Sequence, residues 1–356
     1  KVQKNLHIYK NFCNFARKMS CEALNSALLP HLEGVEKDQI CVVADKCLIR
    51  HPVWTGAQAL QNRPVLWLEV TEENKSLETV SRIWDFLFEH AITRRGLLIC
   101  IGGGALTDMG GFAAATYKRG MSYINVPTTL LAMIDAASGG KTGINYRGIK
   151  NSIGAFAAPR ATILCPEWLS TLSPQQFLSG FAEMLKTGLI DGQALWNGLL
   201  QYDLDKMDTA SLSPLIADCM AVKKRIVAQD PQENGIRKVL NFGHTFGHAL
   251  ERKMQVPHGY AVLYGMIAEL YLSVTRLGCP REPLQQLTRL MLQYYGKPQC
   301  KCSDRDQLLA LMQQDKKNEQ AAQINCTLLQ AVGTPLINQS ISASDANEAL
   351  DYLFSL

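Results

Sequence analysis

The chain is poor in several things. It has no run of about 18 apolar residues, so a membrane-spanning helix is not expected. Charged residues make up only 19% of its 356 positions, the formal net charge is +4, and no Lys/Arg-rich arm occurs. Nucleic-acid binding of the usual electrostatic kind is therefore not expected. The 11 cysteines form no CxxC pair; Cys300 and Cys302 come closest, with one residue between them. That spacing argues against a zinc knuckle, and free thiols in a reducing compartment fit it best. The opening stretch KVQKNLHIYKNF lacks the apolar core of a signal peptide, so a cytoplasmic protein is expected. GxGxxG and the full P-loop pattern are also missing: position 107 is Thr, and the first P-loop glycine would fall at Asp135.

What is present is a globular composition, 47% hydrophobic, on a chain long enough for two cores. Short apolar runs at 40–44 (ICVVA), 65–70 (VLWLEV) and 97–101 (LLICI) read as strands buried on both faces. Helical spacing over 76–89, with Ser76 as its cap, separates two of them. Further strands are expected at 123–126 and 162–164. This alternation predicts an α/β fold whose first domain, residues 1–165, is Rossmann-like. From 166 to 356 helical periodicity dominates, apart from a strand or hairpin arm expected near 326–332.

Four segments carry groups suited to chemistry. IGGGALTDMGGF (101–112) runs from a strand through three glycines into a small-residue helix, a shape that suits either a tight turn or a phosphate cradle. The stretch 126–156 gathers Asp135, Lys141, Lys150 and Asn151, donors and acceptors that a sugar phosphate would need. In GFAEMLKTGLI (180–190), Glu183 and Lys186 are i,i+3 on an otherwise apolar helix. A buried Glu needs a cation or a metal. In RKVLNFGHTFGHALE (237–251), His244 and His248 are i,i+4 and can chelate, and His258 follows shortly. Spacing alone leaves Glu183, Glu251 and Asp230 as rival carboxylate ligands.

Taken together and in this order, from about Asp45 to about Gly333, these segments resemble the sugar phosphate cyclase family in its dehydroquinate-forming branch. The resemblance implies an N-terminal Rossmann-like NAD-binding domain and a C-terminal, mostly α-helical metal-binding domain. It implies a carbon–oxygen lyase of the shikimate pathway that converts 3-deoxy-D-arabino-heptulosonate 7-phosphate, a small anionic sugar phosphate, to 3-dehydroquinate and phosphate. NAD would act catalytically, beside a divalent metal, Zn before Co, in a homodimer. Glu183, His244 and His258 are implied as metal ligands, and His248 sits by the substrate phosphate instead.

The cofactor contacts implied are Asp45, Glu72, Lys75, Gly102, Gly103, Gly104, Asp108, Thr128, Thr129, Asp135, Lys141, Lys150, Thr171 and Leu172. Those implied for substrate are Arg119, Lys141, Lys150, Asn151, Lys223, Arg237, Asn241, His248 and the pair Lys316 and Lys317. Asp135, Lys141, Lys186, Lys223 and His248 are the implied catalytic groups. Two departures stand out. Tyr260 replaces the Glu usual after His-Gly, and Thr107 replaces a Gly of the glycine turn. Rival readings are a cyclase for a substrate without a carboxylate, a metal- and NAD-dependent polyol dehydrogenase, and a non-catalytic dinucleotide-binding regulator. The wealth of basic residues disfavours all three.

Overall fold

The computed structural model describes residues 22–313 and 324–356. The chain divides into two compact units at Leu172/Ser173. The division falls after the 3-10 helix Pro166–Thr171, whereas the strand signals alone put it before that turn.

The first unit is built on a parallel sheet of five strands: β1 (Ile40–Asp45), β2 (Val65–Leu68), β3 (Leu97–Gly102), β4 (Ser122–Pro127) and a short β7 (Ala161–Thr162). Their order is β2-β1-β3-β4-β7. The apolar runs make the central strands because both faces are covered: β3 is buried along its whole length. On one face Cys41, Val43, Leu98 and Cys100 pack with Val80, Ile83 and Leu87 of helix α1 (Leu77–Glu89) and with Leu106 and Met109 of helix α2 (Gly104–Thr116). Ser76 caps α1 by accepting the Thr79 N–H at 3.3 Å. Gly110 of α2 lies so close to β3 that a Cβ there would collide with the Cys100 sulfur. The Gly110-Gly111 pair of the 101–112 segment is thus a packing device.

Between β4 and β7 stands a feature not foreseen from the sequence. β5 (Lys141–Tyr146) and β6 (Ile149–Phe156) form an antiparallel hairpin. Its two-residue turn is Arg147-Gly148, both with positive φ (50° and 76°), as hairpin twist requires.

The second unit is mostly helical. Helix α3 (Pro174–Asp191) begins with a capping box between Ser173 and Gln176 and has Pro174 in its first turn. It is buried continuously from Phe177 to Ile190, as a helix apolar on every side must be. Helices α4 (Thr209–Gln229), α5 (His244–Met254) and α6 (His258–Leu277) follow. The strand expected near 326–332 is β8 (Ile324–Ala331), paired with β9 (Thr334–Ile341).

Helix α6 meets α3 by very close approach at Gly259. A Cβ at this position would collide with the Ser179 backbone, and the Gly259 N–H donates to Ser179 Oγ at 3.0 Å. Gly259→Ala should therefore cost at least the about 1–3 kcal/mol of an overpacked core. Thermal unfolding of the two proteins, freed of metal by a chelator, checks this; an unchanged midpoint would refute the close approach.

Candidate active site

In the first unit several of the cofactor residues implied by the sequence lie at the carboxyl edge of the sheet. β1 lies between β2 and β3, so the chain changes direction across the sheet between β1 and β3. Ligands of open α/β sheets bind at such a switch point. Asp45 ends β1 and Gly102 ends β3, so these two positions are neighbours there. Gly103 caps α2 and Gly104 is its first residue. A helix of thirteen residues thereby points its N-terminus, with unsatisfied N–H donors, out of this edge. The N–H of Thr128 donates to Gly102 O at 3.0 Å, and Thr129 caps the next short helix through Ala132. Thr107, at the position where a Gly is usual, turns its hydroxyl back to Gly104 O (3.0 Å) and is buried. Its side chain is therefore accommodated inside the helix. Asp135 closes the short Leu130–Ile134 helix.

Beside this edge lies a polar cluster. Lys75, 3% exposed, holds Asp108 and Asn151 Oδ1, each at 2.5 Å. Burial pushes the Asp108 carboxyl up to about 6, with Asp135 and Glu72 adding to the rise and Lys75 opposing it. Asn145 ties the cluster together. Its side-chain amide donates to Glu72 Oε1 (2.9 Å) and Glu72 O (3.0 Å), and its Oδ1 accepts from the Asn151 N–H (2.9 Å). Its own N–H donates to Lys75 O at 2.8 Å. The hairpin that carries Lys141, Lys150 and Asn151 is thereby fastened to the turn that carries Glu72 and Lys75. Asn151 adopts φ 51°, a left-handed conformation that Asn tolerates. Arg119 stands apart on an exposed turn at φ 65°, and Thr171 and Leu172 close the unit.

In the second unit the three implied metal ligands converge. Glu183 lies mid-way along α3, and His244 and His258 are the first residues of α5 and α6. One donor atom of each lies within 4.8 Å of the others. Glu183 Oε1 is 3.7 Å from His244 Nε2 and 3.5 Å from His258 Nε2, and Glu183 Oε2 pairs with Lys186 at 2.5 Å. The carboxylate is 1% exposed. The remaining ring nitrogens are occupied: His244 Nδ1 lies 3.1 Å from Phe242 O, and His258 Nδ1 lies 2.9 Å from Glu251 Oε2. His248 stands edge-on to His244, ring centroids 5.2 Å apart, but contributes no atom to the converging set.

The rival carboxylates are committed elsewhere. Glu251 lies on the far side of the His258 ring. Asp230 accepts N–H groups of Asn234, Gly235 and Arg237 and so organises a loop.

The donor set fits a divalent cation. One carboxylate and two imidazoles is a known open zinc set. The local field asks for the same. Burial alone would lower the basicity of His258, yet hydrogen bonds to Glu183 and Glu251 outweigh it and push its pKa up to about 10. Two carboxylates thus face the His258 ring, one from each side.

The second unit also carries the implied substrate groups. Lys223 is buried on α4. Arg237, 3% exposed, donates from Nη1 to Pro231 O at 2.6 Å, and Asn241 donates to Glu233 Oε1 at 2.9 Å. Lys316 and Lys317 lie outside the described residues. Tyr260, in place of the usual Glu, packs edge-on against Tyr295, whose hydroxyl donates to Leu178 O on α3 (2.9 Å). The substitution therefore reinforces the α6–α3 junction by aromatic packing.

One supporting residue was not singled out from the sequence. Glu269, fully buried on α6, accepts the N–H groups of Gly243 (2.7 Å) and Thr245 (3.2 Å), on either side of His244. The signal available was a lone acid in the apolar run VLYGMIAELYL.

The chain matches a model described as 3-dehydroquinate synthase N-terminal over residues 65–179 and one described as 3-dehydroquinate synthase C-terminal over residues 180–318. It is 43% identical over 342 residues to a 3-dehydroquinate synthase of Parabacteroides distasonis, covering 93% of this chain and 96% of that protein. Among solved structures, a 2-epi-5-epi-valiolone synthase from Streptomyces hygroscopicus with NAD+ and Zn2+ bound aligns with a TM-score of 0.78 at 25% identity, over 88% of this chain and 90% of that one. A 2-deoxy-scyllo-inosose synthase complexed with carbaglucose-6-phosphate, NAD+ and Co2+ shares the fold at a TM-score of 0.77 and 23% identity, over 92% of this chain and 94% of that one. By both domain models and by near full-length identity, the chain belongs to the 3-dehydroquinate synthase family.

Proposed function

We propose that this chain converts 3-deoxy-D-arabino-heptulosonate 7-phosphate to 3-dehydroquinate and phosphate. The observation that carries the reading is the convergence of Glu183, His244 and His258 within a chain of this family. NAD, when bound, supplies a transient hydride acceptor, and a divalent metal supplies Lewis acidity.

The protein's own groups do the rest. The glycine turn Gly102–Gly104 and the N-terminus of α2 suit a pyrophosphate, and Asp45, Glu72, Lys75 and Asp108 suit the ribose and adenosine side. Thr128, Thr129, Asp135, Thr171 and Leu172 line the rest of the cofactor site in this reading. The substrate carries a carboxylate and a phosphate, and Lys141, Lys150, Lys223, Arg237 and Arg119 provide matching cations, with Asn151 and Asn241 as neutral donors. Arg237 is preorganised by its bond to Pro231 O. His248, beside the cluster but outside the ligand set, binds the departing phosphate. Lys186 neutralises Glu183 and stands ready as a proton donor. Lys316 and Lys317 complete the substrate set. Zinc is the preferred ion for one carboxylate and two imidazoles, with cobalt an effective substitute. A cytoplasmic homodimer completes the reading. Among the described residues no helix is long and apolar enough to cross a membrane.

The direct test is phosphate release from 3-deoxy-D-arabino-heptulosonate 7-phosphate with catalytic NAD+, with and without a chelator. Chelator-sensitive release without net NADH is expected; stoichiometric NADH from a simple polyol would overturn the reading in favour of a dehydrogenase. Glu183→Gln and His258→Ala should lose bound metal and activity while retaining helical content. His248→Ala should keep its metal and lose rate by roughly the 10²–10⁴-fold typical of an acid–base or charge-stabilising group. Metal analysis beside turnover separates these outcomes, and metal loss in His248→Ala would favour the i,i+4 chelate.

A further inference from the structure

The two histidine donors of the cluster are backed differently. The outer nitrogen of His244 faces a neutral backbone carbonyl, Phe242 O, at 3.1 Å. That of His258 faces a carboxylate, Glu251 Oε2, at 2.9 Å. Glu251 lies in the last turn of α5, where the helix macrodipole disfavours a negative charge. His258 begins α6, whose N-terminal dipole favours a carboxylate beside it, so this contact offsets the cost of the Glu251 charge at the end of α5. Of the two basic residues that follow Glu251, Arg252 is exposed and Lys253 contacts Asp304 at 2.9 Å and Gln307 at 2.7 Å. The Glu251 side chain is only 12% exposed, so its bond to His258 is largely shielded from water.

We infer that Glu251 is a positioning residue for the metal site: by accepting the Nδ1–H of His258 it fixes the ring's tautomer and aims Nε2 at the ion, and its charge makes that imidazole the stronger of the two donors. The inference rests on the proposed metal-dependent function and goes beyond its ligand set. A carboxylate behind a ligating imidazole fixes ring orientation and raises basicity, and losing such a partner costs about 10–100-fold in metal affinity. Gln255, with φ 54° at the end of α5, turns the chain so that the short 255–257 connection can bring the two side chains face to face.

The experiment uses the full chain stripped by a chelator and titrated with Zn2+ or Co2+ against a chromophoric competitor. Glu251→Ala should bind the ion about 10–100-fold more weakly than the parent. Glu251→Gln keeps an acceptor oxygen and loses the charge, so it should recover part of that loss and stay weaker than the parent. The visible absorption of the Co2+-loaded alanine variant should shift, while the metal-free variants keep the parent's circular dichroism. Parental affinity in both variants would overturn the inference, and parental affinity in Glu251→Gln alone would overturn its charge component. If Glu251→Ala fails to fold, Glu251→Gln decides by the same measure. A parent that binds no ion would overturn the inference together with the metal-dependent function, which separates the two failures.

Discussion

A carboxylate that is 1% exposed on a helix apolar on every side sets the terms for the second unit. Glu183 could not stay ionised there without positive charge close by. Lys186 supplies one, at 2.5 Å on the next turn, and the other half of the carboxylate faces two imidazoles. Those imidazoles come from two other helices, so α5 and α6 must both approach α3 closely. Gly259, with its N–H on Ser179, brings α6 against α3, and Glu269 of α6, gripping the backbone on either side of His244, ties α5 to α6. The opening residues of two helices then face a cation, an arrangement that helix dipoles oppose. Glu183, Glu251 and Glu269 are the negative charges that balance it.

The first unit solves a different problem, the approach of an anion to backbone. Its apolar strands are covered on both faces, which leaves the carboxyl edge as the place where loops can differ from one another. At that edge the glycine turn offers N–H groups, and the Lys75–Asp108–Asn151 cluster offers a fixed polar wall. Asn145 makes that wall rigid by joining hairpin to turn with three hydrogen bonds and bracing Asn151 within the hairpin with a fourth.

Much of this was legible in the sequence because it is local. The strands announced themselves as apolar runs, α1 as a periodic stretch with a Ser cap, and the glycine turn as three residues at the end of a strand. The β5–β6 hairpin was not legible. Its strand β6 is exposed over most of its length, so the alternation that marks a half-buried strand never appears. Helical periodicity pairs His244 with His248, whereas the donor atoms that meet come from three helices. Periodicity reports which residues share a face, and it is silent about what another helix brings to that face. For the same reason the spacing could not rank Glu183 above Glu251 and Asp230. Glu251 turns out to lie behind an imidazole, and Asp230 to lie under a loop. Lys316 and Lys317 came from resemblance alone and fall outside the described residues.

The most direct test of the three-helix cation site is X-ray absorption at the metal edge of the Zn2+- or Co2+-loaded protein. The account predicts two imidazoles at about 2.0–2.1 Å, oxygen donors for the remainder and no sulfur, the shell expected from two histidines and one carboxylate. Three imidazoles would bring His248 into the shell in place of the carboxylate, and a sulfur scatterer would put a cysteine there; either result would contradict it.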